Sequence, residues 1–123
     1  MSRGVIDQAM DYLADAQTIS NYNLPNSTYV NDHIIKKCGN VVSIFIKDFK
    51  NLPKTTLTTI GTLPAGWRPA SQMNVDGFNA NDSSKVYRLV INTTGVMQLY
   101  NYAAATGTTV QNAMITCAYI ATQ

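Results

Sequence analysis

Two hydrophobic periods run through this sequence, and the change between them falls near residue 28. From Arg3 to Ser20 the apolar residues Val5, Ile6, Ala9, Tyr12, Leu13, Ala16 and Ile19 recur every three or four positions. That spacing gathers side chains on one face of a helix. From His33 onward the apolar residues alternate, which sorts them onto the two faces of a strand. One element cannot serve both periods, so the sequence predicts two parts. Residues 1–27 form an N-terminal helix and linker, and residues 28–123 form a β-rich domain.

Ser2 suits the helix N-cap, and Asp7, Asp11 and Asp15, four residues apart, make a self-repelling solvated stripe. Read as a heptad seam, Ile6, Ala9, Leu13 and Ala16 span barely two heptads, too few for an independent coiled coil. Such a helix needs a neighbour, either its own domain or the same helix of two other subunits. Asn21 to Ser27, with Asn-Leu-Pro-Asn inside it, reads as a linker.

In the β-rich part, His33 to Cys38 and Val41 to Phe49 flank Gly39-Asn40, a two-residue hairpin signal. Val42, Ile44 and Ile46 face one way; Val41, Phe45 and Phe49 face the other, with Ser43 and Lys47. Both faces are partly apolar, so this strand is expected to be central or to lie against another subunit. Further strands are expected over Thr56 to Leu63, Met73 to Asn79, Lys85 to Asn92, Val96 to Tyr102 and Asn112 to Ile120, with a rigid turn at Pro64 to Pro69. Seven short strands with turn signals between them predict a mainly β fold. The expected architecture is an antiparallel β-sandwich, jelly-roll-like, behind one short helix.

Composition narrows the function. Of 123 residues only 13% are charged, about half the usual fraction. The acids are seven Asp and no Glu, while Thr, Asn and Ser supply the missing polarity. Nine Lys and Arg are scattered, with only Lys36 and Lys37 adjacent, so no nucleic-acid partner is expected. No apolar run reaches the roughly 18 residues of a membrane span, and no membrane insertion is expected.

Enzyme signatures are missing from the inventory. There is one His, no nucleophile elbow, no phosphate-binding loop and no dinucleotide glycine pattern. Neither catalysis nor a cofactor is expected. Asp48, Asp76 and Asp82 have no spacing that favours glycoside hydrolysis over solvated turns. His33 reads as an ordinary strand residue before it reads as a base or metal ligand. Residues 76–82 are rich in oxygen side chains but lack the order and the bidentate Glu of a calcium loop, and no metal is expected. Cys38 and Cys117 have no zinc-ligand spacing. Two small buried thiols are the simpler reading, and a disulfide requires their strands to meet.

What remains is a surface of hydroxyls, amides and aromatic rings. Sugar rings stack their apolar faces on aromatic side chains and present hydroxyls to amides and carboxylates. The candidate ligand residues are therefore Trp67 in the Pro-Gly turn, Tyr100, Asn101 and Tyr102 near a strand end, and Asp76, Asn79 and Asp82 in a polar loop. Each has a plainer use: Trp67 as a plug at the end of the sandwich, the tyrosines as cover for core or for a subunit interface. A weakly charged surface suits neutral polyhydroxyl ligands and limits repulsion between identical subunits.

Gly39-Asn40-Val41-Val42-Ser43-Ile44, then Thr59-Ile60-Gly61-Thr62-Leu63-Pro64-Ala65-Gly66-Trp67-Arg68-Pro69, then Leu89-Val90-Ile91-Asn92-Thr93-Thr94-Gly95-Val96-Met97 stand in order along the chain. Together they resemble the distal head domains of bacteriophage tail fibres and receptor-binding proteins. The resemblance runs from about Tyr29 to Ile120, and Leu-Pro-Ala-Gly-Trp-Arg-Pro is its most specific element. Trp67 stands where Tyr is commoner, and Lys50 to Lys54 fit no part of the pattern. The resemblance implies a homotrimeric β-sandwich head at the phage tail tip, made in the bacterial cytoplasm and carried on the virion. It implies adhesion to a bacterial cell-surface saccharide, with other tail or baseplate proteins as further partners. The N-terminal helix then becomes a neck on the trimer axis, and Arg68 with its two prolines becomes scaffold. A structural fibre or baseplate component is the alternative, and a polysaccharide depolymerase a more distant one.

Overall fold

The computed structural model describes residues 19–25, 29–49, 52–53, 55–79, 82–102 and 110–122, with backbone alone at 78–79, 82–86 and 110–112. Eight strands occur among them: β1 (Ile19–Tyr22), β2 (Val30–Cys38), β3 (Val41–Phe49), β4 (Leu57–Thr62), β5 (Met73–Asn79), β6 (Asp82–Ile91), β7 (Val96–Asn101) and β8 (Val110–Ile120). All pair antiparallel in the order β1-β2-β3-β8-β5-β6-β7-β4. No helix occurs among the described residues. The fold is therefore mainly β, as alternation predicts.

The eight strands divide into two four-stranded halves, β1-β2-β3-β8 and β5-β6-β7-β4. They are joined by two residue pairs, Phe78 with Met114 and Asn79 with Ala113. Gly77 lies at this joint, where a Cβ would collide with the Met114 carbonyl oxygen and Ile115 Cγ1. Within the second half β5, β6 and β7 follow one another as hairpins and β4 returns beside β7, a Greek-key arrangement.

The inner faces of both halves share one core. Ile35, Val42, Ile44, Ile46 and Ile115 come from the first half, and Ile60, Leu89, Ile91, Met97 and Leu99 from the second. Phe49 and Tyr87 cross between them edge to face, centroids 5.1 Å apart. The outer strands also approach. Tyr22 Oη of β1 donates to the Thr62 carbonyl of β4 at 3.0 Å, and Leu24 packs beside Gly61.

The Leu63-to-Pro69 turn straps the two halves at one end. Arg68 Nε donates to the Leu63 carbonyl at 3.1 Å, Thr122 N to the Arg68 carbonyl at 3.1 Å, and Tyr119 Oη to the Trp67 carbonyl. Pro69 bridges Ala121. Burial holds the Tyr119 phenol far above its ordinary value, with Cys117 adding to the shift. Gly95, at φ 88°, sits under this strap. A side chain there would meet the Leu63 carbonyl oxygen and Arg68 Nε.

Three expectations are corrected. The helix expected over Arg3 to Ser20 lies outside the described residues as far as 18, but Ile19 and Ser20 open β1 rather than end a helix. The linker expected over 21–27 is strand at its start, since β1 continues through Tyr22, while the expected division at 27/28 lies outside the described residues. Asn21 and Tyr22 pair with Lys36 and Ile35, and Leu24 is buried. Four residues are too short for a period to show, and pairing with β2 decides the conformation. Phe49, expected on the face opposite Val42, Ile44 and Ile46, is buried with them, because Asp48 at φ 59° makes a bulge that turns the next side chain inward.

Candidate functional site

Alternation along β4 to β7 sends Ile60, Tyr87, Leu89, Ile91, Met97 and Leu99 inward, so the residues between them form the outer face of the second half. Pairing sets them in rows. Asp76 lies opposite Arg88, Arg88 opposite Tyr100, and Tyr100 opposite Leu57. The next row carries Asn74, Val90, Gln98 and Thr59. Tyr102, just past the end of β7, closes the first row on the same side as Tyr100.

These rows shape an open groove of about 410 Å³ lined by Leu57, Gln72, Asn74, Arg88, Val90, Tyr100 and Tyr102. The two tyrosine rings stand 4.3 Å apart, inclined at 53°. Arg88 Cζ lies 5.5 Å from the Tyr102 centroid, within cation–π range. Arg88 donates twice to Asp76, from Nε to Oδ1 at 2.7 Å and from Nη2 to Oδ2 at 3.2 Å. That bidentate hydrogen bond lowers the Asp76 carboxyl below its ordinary value against a small opposing cost of burial, and raises Arg88 in turn. The pair stays ionised and carries no net charge. The groove thus offers ring faces, an apolar floor of Leu57 and Val90, amides at Gln72 and Asn74, and an adjacent donor and acceptor at Arg88 and Asp76.

Of the expected ligand residues, Tyr100 and Tyr102 line the groove, and Asp76 borders it through its hydrogen bonds to Arg88. Asn101 does not: it is 2% exposed, faces the core and donates from Nδ2 to the Leu52 carbonyl at 3.4 Å. Trp67 sits at the strapped end, half-buried against the core with Tyr22 at 6.3 Å, in the position of a plug. Asn79 and Asp82 pair as backbone at the β5–β6 hairpin, and their side chains lie outside the described residues. Arg88, Asn74, Gln72 and Leu57 were not expected. Their signal was the alternation within strands already recognised, since Arg88 and Val90 share the face opposite Leu89.

A second concavity, about 280 Å³, lies along β1 and β2 between Asn21, Asn23, His33 and Lys36. Here His33 Nε2 accepts from Leu24 N at 3.1 Å and ties the chain leaving β1 to β2, an ordinary structural use of the ring. Asp48 and Asp76 stand on different halves of the sheet, so they do not form a carboxylate pair. Among the described residues no three His, Cys or Asp side chains gather as metal ligands. No known protein family and no curated protein matches the chain.

Proposed function

We propose that this protein is a receptor-binding head of a bacteriophage tail fibre, a non-catalytic β-sandwich that adheres to a saccharide of the bacterial surface through the Tyr100–Tyr102 groove. The observation that carries the reading is the tyrosine pair flanked by Arg88 and Asp76 on the outer face of the second half. Ring faces bind the C–H side of a sugar while the ion pair and the amides meet its hydroxyls. The resemblance in the Leu63-to-Pro69 strap supports the fibre-head assignment, and the strap's hydrogen bonds agree with its reading as scaffold.

The head acts as a homotrimer. Supporting this, the outer face of the first half leaves Ile34, Val41, Met114 and Ile120 exposed, a surface that a second copy of the chain would cover. Three equivalent weak sites then adhere through effective concentration. In a glycan array and whole-cell binding screen with fluorescently labelled protein, the parent protein is expected to bind, and Tyr100→Ala with Tyr102→Ala to reduce binding at least tenfold at unchanged melting temperature. Unchanged adhesion in the double variant rejects the groove. Binding to tail proteins but to no cell or glycan favours the structural-component reading.

A further inference from the structure

We propose that Asp76 makes the groove select uncharged polyhydroxyl ligands over saccharides bearing carboxylate or phosphate, by offsetting the charge of Arg88 and holding one of its two bidentate edges; this rests on the saccharide reading of the groove. An arginine recognises an anion best through two parallel N–H groups presented as a fork. Here Nε and Nη2 already serve Asp76 Oδ1 and Oδ2 at 2.7 and 3.2 Å. A uronate or phosphate entering the groove meets a guanidinium with one of its two bidentate edges already taken and its charge offset, beside a carboxylate that repels it.

A neutral sugar meets a different surface. The guanidinium has N–H groups beyond the two that serve Asp76, with Tyr102 as a further neighbour, and each Asp76 oxygen keeps a lone pair, so the pair presents a donor beside an acceptor. The other lining groups are neutral: the amides of Gln72 and Asn74, the two tyrosines, Leu57 and Val90. Asp76 and Arg88 are the two charged groups among the described residues on this face. The Arg88 side chain is 37% exposed and that of Asp76 41% exposed, so both meet a ligand directly and neither is needed to fill the core.

The selectivity is therefore removable. Asp76→Asn keeps the size of the side chain, deletes the negative charge and weakens its hold on Arg88, which leaves the guanidinium net positive in the groove. The test is an array that carries neutral oligosaccharides of glucose, galactose, rhamnose and N-acetylglucosamine, each beside its uronate or phosphorylated counterpart. The parent protein is expected to bind neutral members roughly 3- to 10-fold better than their acidic counterparts, the range one exposed like charge at about 5 Å produces. Asp76→Asn is expected to level or reverse that ratio, with the gain in acidic binding falling as salt rises. Adding Arg88→Gln to Asp76→Asn should abolish the gain, since the released guanidinium supplies it. A parent preference for acidic members overturns the proposal, as does a ratio unchanged in Asp76→Asn. Saccharide binding that persists in either case leaves the groove reading standing, whereas a parent protein that binds no member removes both.

Discussion

Cys38 lies opposite Val41, an exposed residue of the outer face, whereas Cys117 lies opposite Ile44, which is buried. The two thiols therefore occupy opposite faces of the first half with β3 between them, and they do not pair with each other. Burial pushes the Cys117 thiol up to about 11. At pH 8 its thiolate fraction, and with it its alkylation rate, is expected to be on the order of 100-fold below that of an ordinary exposed thiol. Timed iodoacetamide labelling with mass spectrometry should find Cys38 modified first; equal rates contradict the burial. Because the folded value is raised, this contribution to stability is complete below the ordinary thiol value near 9 and declines as pH climbs from there towards 11. Cys117→Ala should flatten the loss of melting temperature between about pH 9 and 10. Pairing of the two cysteines was open in the sequence because it depends on register, which a strand's own residues do not encode. Asn101 is a different case. Alternation from Val96 already groups Asn101 with Met97 and Leu99 and opposes it to Gln98, Tyr100 and Tyr102, so its burial was legible and the polarity of its amide obscured it.

At the scale of elements, two strands that follow turn signals were readable to the residue, Val41–Phe49 behind Gly39-Asn40 and Met73–Asn79 behind the Pro69 turn. The groove was partly readable by the same route. Setting the expected strand ends Asn79 and Lys85 opposite one another brings Asp76 across from Arg88, the pairing observed. Two features escaped because strict alternation does not encode them. One is the Asp48 bulge that turns Phe49 inward. The other is β1, whose four residues form a strand by pairing with β2 and by Tyr22 reaching β4. This gives β1 a measurable weight. Deleting residues 1–18 leaves all eight strands, whereas deleting residues 1–24 also removes Tyr22 and the buried Leu24 from beside Gly61 and uncovers the flank of β2. Loss of one buried Leu with its neighbours costs about 3 kcal/mol, which in a domain of this size lowers the melting temperature by roughly 10 °C. The drop is read against a chain that begins at Ile19; equal melting temperatures for the two would mean that β1 adds nothing to the sheet.

For the whole molecule, the two outer faces differ in kind. The second half carries the groove, with polar and aromatic side chains in paired rows. The first half exposes Ile19 at 56%, Ile34 at 52%, Val41 at 48%, Met114 at 41% and Ile120 at 66%, interspersed with Asp32, Lys36 and Lys47. Apolar residues this exposed on one sheet face, with both charge signs among them, suit contact with copies of the same chain. Only 13% of residues are charged and the net charge is +2, so bringing three copies together costs little in long-range repulsion. In the proposed trimer, assembly through the first half would leave the outer face of the second half, and with it each groove, uncovered by the contact. Light scattering at micromolar concentration is expected to give three times the 13.5 kDa of one chain. Ile34→Asp with Ile120→Asp should convert the assembly to monomers while the far-UV spectrum keeps its β signature, because both side chains point away from the core. Cell adhesion should then fall by a factor of about 100 or more through loss of multivalency, while affinity for a single soluble oligosaccharide stays unchanged. A monomeric parent protein contradicts the trimer, and a monomeric variant that adheres as strongly as the parent contradicts the dependence of adhesion on three sites.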